Sequence, residues 1–203
     1  QMAGLVIRGN GQPLQWTRDP GDMYAFRLQV PEGVDVLDIE FQYLSPTAAD
    51  QGRVAMTPNL LDLQWHRVVL YPAGFDARGI QVKPALRLPE GWRSGTALDV
   101  AGREGGVERY APVTLMTLID SPVFAGRHFK RFALDDKAAQ PVWLDVVAET
   151  PQALQADPKV LDAHRALVHE ADKVFGPRPY TRYDFLLAVS DVFTGIGLEH
   201  AQS

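Results

Sequence analysis

The sequence contains no cysteine, so this chain has neither disulfide bridges nor thiolate metal ligands. It also lacks long apolar runs. The longest, Phe185-Leu186-Leu187-Ala188-Val189, is far shorter than the roughly 18 residues that a membrane-spanning helix needs. Lysine and arginine are scattered along the chain, and the formal net charge is −5. Because no basic stripe is present to neutralise phosphates, we expect no binding to nucleic acid.

Motifs for a metal centre are incomplete. A zinc peptidase usually carries two histidines one helical turn apart, with a glutamate between them. In His169-Glu170-Ala171-Asp172-Lys173 a lysine stands where the second histidine is needed. His164 precedes His169 by five residues, which is about 140° around a helix. We therefore interpret both histidines as part of a solvated helix face, and we predict no catalytic residue, metal site or cofactor in this chain.

The first two thirds of the sequence have the pattern of β-strands. Apolar and polar residues alternate over 24–30 and 37–43, and Asn10-Gly11 suits a tight hairpin turn. Further strands are predicted at 60–71, 80–88, 114–120 and 128–133, separated by proline and glycine. Many short strands with frequent turns and no helical stretch predict a mainly β protein, with an N-terminal β-sandwich over residues 1–138.

The pattern changes over residues 139–203. A strand at Val142–Ala148 precedes a helix that Asp157 caps, that Pro158 opens and that Gly176 ends. Apolar side chains are predicted to lie on one side of this helix. They are Val160, Leu161, Leu167, Val168, Ala171, Val174 and Phe175. With a buried strand at 184–190, the section predicts the strand–helix–strand beginning of an α/β domain.

A glycine-rich segment follows that last strand. In Gly195-Ile196-Gly197-Leu198-Glu199-His200, the two glycines let the backbone pass close to a ligand. Glu199 could bind a substrate ammonium by a charge-assisted hydrogen bond. Loops after strand ends often carry active-site groups, but a glycine-rich turn with an incidental glutamate gives the same pattern.

Four stretches, in this order, carry a family resemblance: 118–128, which includes Asp120-Ser121-Pro122, then 163–168, 183–191 and 195–200. Looser matches lie at 22–26 and 69–74. Together they resemble the glycyl aminopeptidase family of zinc peptidases. That resemblance implies an N-terminal β-domain, the start of a thermolysin-like catalytic domain over 139–203, and zinc and a PDZ domain in the full-length protein. We expect this chain to be the N-terminal portion, truncated before the zinc motif and inactive alone.

The segment 195–200 is also similar to the Gly-x-Met-Glu-Asn motif of aminopeptidase N relatives, with Leu198 in place of Met and His200 in place of Asn. The similarity implies that Glu199 binds the free α-amine of a peptide substrate. The predicted substrate-binding residues are Gly195, Gly197, Glu199 and His200. Relatives of the family are often exported, which favours the periplasm over the cytoplasm.

Two other expectations concern partners. A non-catalytic β-sandwich that binds a protein or glycan remains an alternative, because tryptophans offer stacking surfaces as well as core volume. They are Trp16, Trp65, Trp92 and Trp143. The apolar strand at 184–190 would lack neighbours in an incomplete α/β domain, so self-association is predicted as well.

Overall fold

The computed structural model describes residues 2–193 and 197–203. Over these residues the chain is mainly β, as the sequence predicts. The strands are β1 Met2–Gly9, β2 Gln12–Pro13, β3 Trp16–Arg18, β4 Phe26–Leu28, β5 Leu37–Tyr43, β6 Leu60–Leu63, β7 Gln81–Val82, β8 Ala85–Arg87, β9 Arg93–Thr96, β10 Val100–Glu104, β11 Val107–Tyr110, β12 Val113–Thr114, β13 Val123–Gly126, β14 His128–Asp135, β15 Val142–Ala148 and β16 Tyr183–Val189. The helices are α1 Leu115–Ile119 and α2 Pro158–Phe175, and single 3-10 turns lie at Ala49–Gln51, Trp65–Arg67 and Gln152–Leu154.

The chain divides into two compact units, residues 1–45 and 46–203. In the first unit β1 pairs antiparallel with β2 and with β5, and β3 pairs with β4. Asn10 and Gly11 form the two-residue loop between β1 and β2, with φ values of 49° and 77°. Positive φ at both positions is what a tight hairpin turn requires, so the prediction for this turn is confirmed.

In the second unit the strands form small antiparallel sheets, with orders β6-β13-β9, β10-β11-β8 and β12-β7. They surround an apolar core. Its buried members are Trp65, Leu98, Tyr110, Leu115, Leu118, Val123 and Ala125. Trp65, one of the four tryptophans considered for stacking, is therefore a core residue.

The strand predicted at 114–120 was wrong, because α1 occupies most of it. Thr114 caps the helix by accepting the Thr117 N–H at 3.1 Å. Leu115 and Leu118, three residues apart, are buried on the core side. The short helix thus buries two leucines at helical spacing, where a strand with alternating buried and exposed residues was predicted. The strand predicted at 60–71 is also shorter, since β6 ends at Leu63 and a 3-10 turn follows.

The third sheet contains β14, β15 and β16. β14 and β15 are antiparallel, and α2 connects β15 to β16, which pair in parallel. β15 has the predicted bounds, and Asp157 caps α2 by accepting the Lys159 N–H at 2.9 Å. The predicted domain boundary at 138/139 falls in the connection between the paired strands β14 and β15, and it stays a prediction.

Only part of the predicted apolar side of α2 is covered. Leu161 and Val168 pack against β14 and β15, while Val160 and Leu167 are 51% and 58% exposed. Each of the exposed pair precedes a packed residue by one position, which rotates it about 100° away from the sheet. Val174 and Phe175 are exposed too. The apolar side of α2 is therefore covered at Leu161 and Val168 but not at these four residues.

Among the described residues, no helix is both long enough and apolar enough to cross a membrane.

Candidate functional site

The segment after β16 carries the predicted substrate-binding residues. Gly195 lies outside the described residues. Gly197 and Glu199 are exposed, and His200 is half-buried. No hydrogen bond or ion pair from another described residue reaches the Glu199 carboxylate, which leaves it available to a ligand. A Cβ atom at Gly197 would meet no atom within 4 Å, so the space beside this backbone is open.

The backbone that follows Glu199 is anchored to the second unit at two points. The Asp184 N–H of β16 donates to Gln202 O at 3.0 Å. The Ala201 N–H donates to Asp120 Oδ2 at 2.9 Å. The exposed glutamate is therefore followed, two and three residues later, by backbone groups that are held in place.

Asp120 itself is held at the end of α1. Its N–H donates to Met116 O at 3.1 Å. The hydroxyl of the adjacent Ser121 donates to Thr117 O at 2.8 Å, and the backbone carbonyl of Ser121 accepts the indole N–H of buried Trp65 at 2.9 Å. Asp120 was not predicted as a site residue, because no local pattern in the sequence encodes a contact with a residue 81 positions away.

His66 lies near the same segment. Burial is the main cause that lowers the pKa of His66, and the charge of Arg67 lowers it further. Asp62 opposes these effects, while His200 adds a smaller repulsion. The neutral form of the His66 imidazole is favoured by these surroundings.

A second carboxylate region lies in the interior. Arg131 forms a two-point contact with Asp145, with Nε–Oδ1 and Nη2–Oδ2 distances of 2.7 and 2.6 Å. Its Nη2 also donates to Asp184 Oδ1 at 2.9 Å. Arg182 contacts the other oxygen of Asp184 and donates to Asp99 at 2.7 Å. We name Arg131, Asp145, Asp184 and Arg182 the buried ionic network; Asp99, whose side chain is 75% exposed, lies at its solvent edge.

The electrostatics of that network indicate a structural role. Asp145 and Asp184 are fully buried, and both oxygens of each are bonded to arginine. Burial raises the pKa of Asp184, although its hydrogen bond to Arg182 and the charges of Arg182 and Arg131 oppose the shift. A carboxylate whose oxygens are all engaged and which solvent does not reach has no capacity left for a substrate.

One group of side chains has metal-ligand atoms close together. Ligand atoms of Asp135, His169 and Asp172 lie within 4.8 Å of one another. Arg178 Nη2 donates to both aspartates at 2.7 Å, and Arg178 Nε donates to Asp172 at 2.9 Å. These bonds lower the pKa of Asp172 and raise that of Arg178. Because Arg178 already occupies both carboxylates and its positive charge would repel a zinc ion, the group does not fit a zinc centre.

This cluster was not predicted, since Asp135 is distant in sequence from the helix that carries the other two residues. His164 and His169 were considered as a pair of metal ligands and rejected. His164 donates from Nδ1 to Val160 O of its own helix at 2.7 Å. Its ring is therefore engaged on α2 and not directed to His169.

Comparison with known proteins gives the family. Residues 1–127 match the peptidase M61 N-terminal domain. The crystal structure of an aminopeptidase N family protein from Idiomarina loihiensis is similar to this chain at 18% identity and a TM-score of 0.74, over 99% of this chain and 33% of that one. An M1 zinc metallopeptidase from Deinococcus radiodurans matches at 15% identity and a TM-score of 0.46, over 91% of this chain and 46% of that one.

The Idiomarina likeness, at this identity, concerns the fold alone, and this chain spans about a third of that protein's length. No curated protein matches the sequence with statistical significance. The domain match covers more than half of the chain and agrees with the resemblance to glycyl aminopeptidases. The chain therefore belongs to the peptidase M61 N-terminal domain family.

Proposed function

We propose that this chain provides the β-rich N-terminal domain and one wall of the substrate cleft of a zinc-dependent aminopeptidase. In that wall, Glu199 binds the free α-amine of a peptide substrate. One observation carries the proposal: Glu199 presents an exposed carboxylate on a segment whose backbone is anchored at Ala201 and Gln202. Membership of a peptidase family supports it.

The chemistry follows from a fixed negative charge. An ammonium group donates to a carboxylate in a charge-assisted hydrogen bond, which is stronger than a bond between neutral groups. A carboxylate held in one place sets the distance from the substrate's N-terminus to the point of cleavage. Gly195 and Gly197 are proposed to offer backbone groups to the substrate, and half-buried His200 to border the same site.

Zinc belongs to the full-length protein in this proposal, because the carboxylates of the Asp135–His169–Asp172 group are bonded to Arg178. When bound there, zinc supplies Lewis-acid activation of the peptide carbonyl and of water. The 203-residue chain by itself is proposed to be inactive. The family resemblance also supports a catalytic domain that begins near residue 139, a PDZ domain in the full-length protein and a periplasmic location.

The 203-residue chain alone is further proposed to self-associate. Val160, Leu167 and Val174 repeat at seven-residue spacing along α2 and are 51%, 58% and 71% exposed. Burial of such a stripe against a second copy is favourable. Sedimentation of Leu167→Glu should show a shift to monomer, while the control Ala166→Glu, at an exposed neighbouring position, should not. A wild-type chain that stays monomeric at high concentration contradicts the proposal.

The proposed peptidase function is tested by identifying the products of the reaction. The full-length protein, loaded with zinc, is incubated with a short peptide and with its N-acetylated form, and the products are identified by mass spectrometry. We expect the N-terminal residue to be released from the free peptide much faster than from the acetylated peptide, and the activity to be lost on chelation. The 203-residue chain should release nothing under the same conditions. Cleavage inside the acetylated peptide at a comparable rate would contradict an aminopeptidase.

A further inference from the structure

We propose that Asp120 is a positioning residue for Glu199. By accepting the Ala201 N–H, the Asp120 carboxylate fixes the backbone of the 197–203 segment and thereby determines where the Glu199 carboxylate meets a substrate amine. This inference rests on the proposed amine-binding function of Glu199.

The position of Ala201 makes the contact effective. Ala201 follows Glu199 by two residues, and a chain reaches at most about 3.6 Å per residue. Fixing the Ala201 N–H therefore confines the backbone of Glu199 to within roughly 7 Å of a fixed point. The Gln202 carbonyl, bonded to the Asp184 N–H at 3.0 Å, supplies the second anchor. Two adjacent anchors, one on each side of the Ala201–Gln202 peptide unit, also restrict its rotation.

Asp120 is suited to this role because its own position is rigid. It follows α1, whose Leu115 and Leu118 are 0% and 4% exposed in the core. The next residue, Ser121, is bonded to the buried indole of Trp65. A chain of contacts thus runs from the core through α1 to the Asp120 carboxylate. Recognition groups on loops need such support from rigid elements to hold a productive geometry.

The anchored segment connects two elements. Ala201 is bonded to Asp120 at the end of α1, and Gln202 is bonded to Asp184 at the start of β16. The bond from Ala201 is charge-assisted, and such bonds to carboxylates are the strong ones.

The first arm of the test measures the contact in the 203-residue chain. Amide hydrogen exchange by NMR reports the Ala201 N–H directly. Asp120→Ala should raise its exchange rate about tenfold, whereas Asp120→Asn, which keeps an acceptor oxygen, should raise it less. The matched control is Asp76→Ala, which removes a similar bond, from the Arg78 N–H at 2.9 Å, in an exposed turn. It should leave Ala201 unchanged.

The second arm measures function in the full-length protein. With an amino-acid amide that has a free α-amine, Asp120→Ala should raise KM about five- to tenfold and leave kcat within about twofold, because the amine contact is made equally in the ground and transition states. With the N-acetylated amide, neither constant should change. Asp120→Asn should restore most of the lost affinity, and Asp76→Ala should match wild type.

The possible outcomes distinguish failure of the Asp120 positioning role from failure of the proposed amine-binding function of Glu199. An unchanged Ala201 exchange rate in Asp120→Ala overturns the contact. Faster exchange with an unchanged KM for the free amide overturns the positioning role, provided that Glu199→Gln lowers the preference for that amide. If Glu199→Gln leaves the preference unchanged, the proposed amine-binding function itself is wrong. A uniform loss of kcat on both substrates in Asp120→Ala, without rescue by Asp120→Asn, would show a merely structural role.

Discussion

The buried ionic network and the 197–203 segment both present carboxylates, in opposite surroundings. Asp145 and Asp184 are fully buried, and arginine nitrogens engage all of their oxygens. Glu199 is exposed, and only the backbone of its segment is held. The difference teaches that a perturbed pKa is not enough to mark a functional site. Asp184 has a raised pKa, yet arginine nitrogens already occupy both of its oxygens. The carboxylate of Glu199, which is proposed to bind substrate, has no partner among the described residues.

The largest expected effect is on stability, from Asp145→Ala. The substitution leaves Arg131 without its two-point partner and opens space in the interior. We expect a loss of about 3 kcal/mol, the low end of the range for breaking a buried pair, because Arg131 is itself 37% exposed. Urea unfolding measures it. Glu199→Ala is the contrasting variant, expected to stay within about 0.5 kcal/mol of wild type. Equal losses would remove the distinction between the two regions.

A smaller effect is expected from Gly95→Ala in β9. An added Cβ would lie 2.3 Å from Asp145 Oδ2 and 2.6 Å from Asp145 Cβ, so the Asp145 side chain and the strand that carries it would have to move. Overpacking of this kind costs about 1–3 kcal/mol. Gly102→Ala in β10 is the matched control, since its Cβ would meet nothing within 4 Å. In the double variant with Asp145→Gly, which removes both contacts, the cost of Gly95→Ala should shrink markedly; full additivity would contradict the packing argument.

The contributions of Asp172 and Asp184 to the stability of the fold are expected to depend on pH in opposite ways. Arg178 lowers the pKa of Asp172 below its ordinary value of 3.8, so the Arg178 contact stabilises the fold above that value and is lost as pH falls through the lowered pKa. Burial raises the pKa of Asp184, which gives the opposite sign: its contribution is most favourable below 3.8 and decreases as pH rises through the raised pKa. The two aspartates therefore bias acid stability in opposite directions.

The variant Asp172→Asn tests the predicted pH dependence of the stabilisation from the Arg178–Asp172 contact. The variant should be less stable than wild type at neutral pH and should approach wild type as pH falls through the lowered pKa of Asp172. The effect should be the smallest of the stability changes, since the side chain is 37% exposed and solvent screens the pair. Unfolding curves at several pH values measure it. A deficit that grows toward acid pH would contradict the assignment.

Local signals in the sequence predicted much of the fold. Asn10-Gly11 and the Asp157-Pro158 pair each determine a turn or a helix start through their own backbone preferences, and both predictions are confirmed. The short α1 was missed because a run of apolar residues fits a strand or a helix equally well, and the Thr114 cap decided the outcome.

Contacts between distant residues could not be predicted from one sequence. Glu199 was proposed from the glycines and the strand end around it, together with the similarity of its segment to the Gly-x-Met-Glu-Asn motif. The Asp120–Ala201 bond joins residues 81 positions apart, and Asp135 meets α2 only because β14 returns beside it. Such pairings depend on how the elements pack, and no local pattern encodes them. The sequence therefore predicted one exposed residue of the proposed site but not the contacts that hold its segment.

The most direct test of the account compares kcat/KM for an amino-acid amide and for its N-acetylated form, in the full-length wild-type protein and in Glu199→Gln. Glutamine keeps the size of the side chain and removes its charge. Loss of a charged hydrogen bond should lower the preference for the free amine by about 10- to 100-fold, with the acetylated substrate unaffected. An equal decrease for both substrates, or no change for either, would contradict the proposal that Glu199 binds the amine.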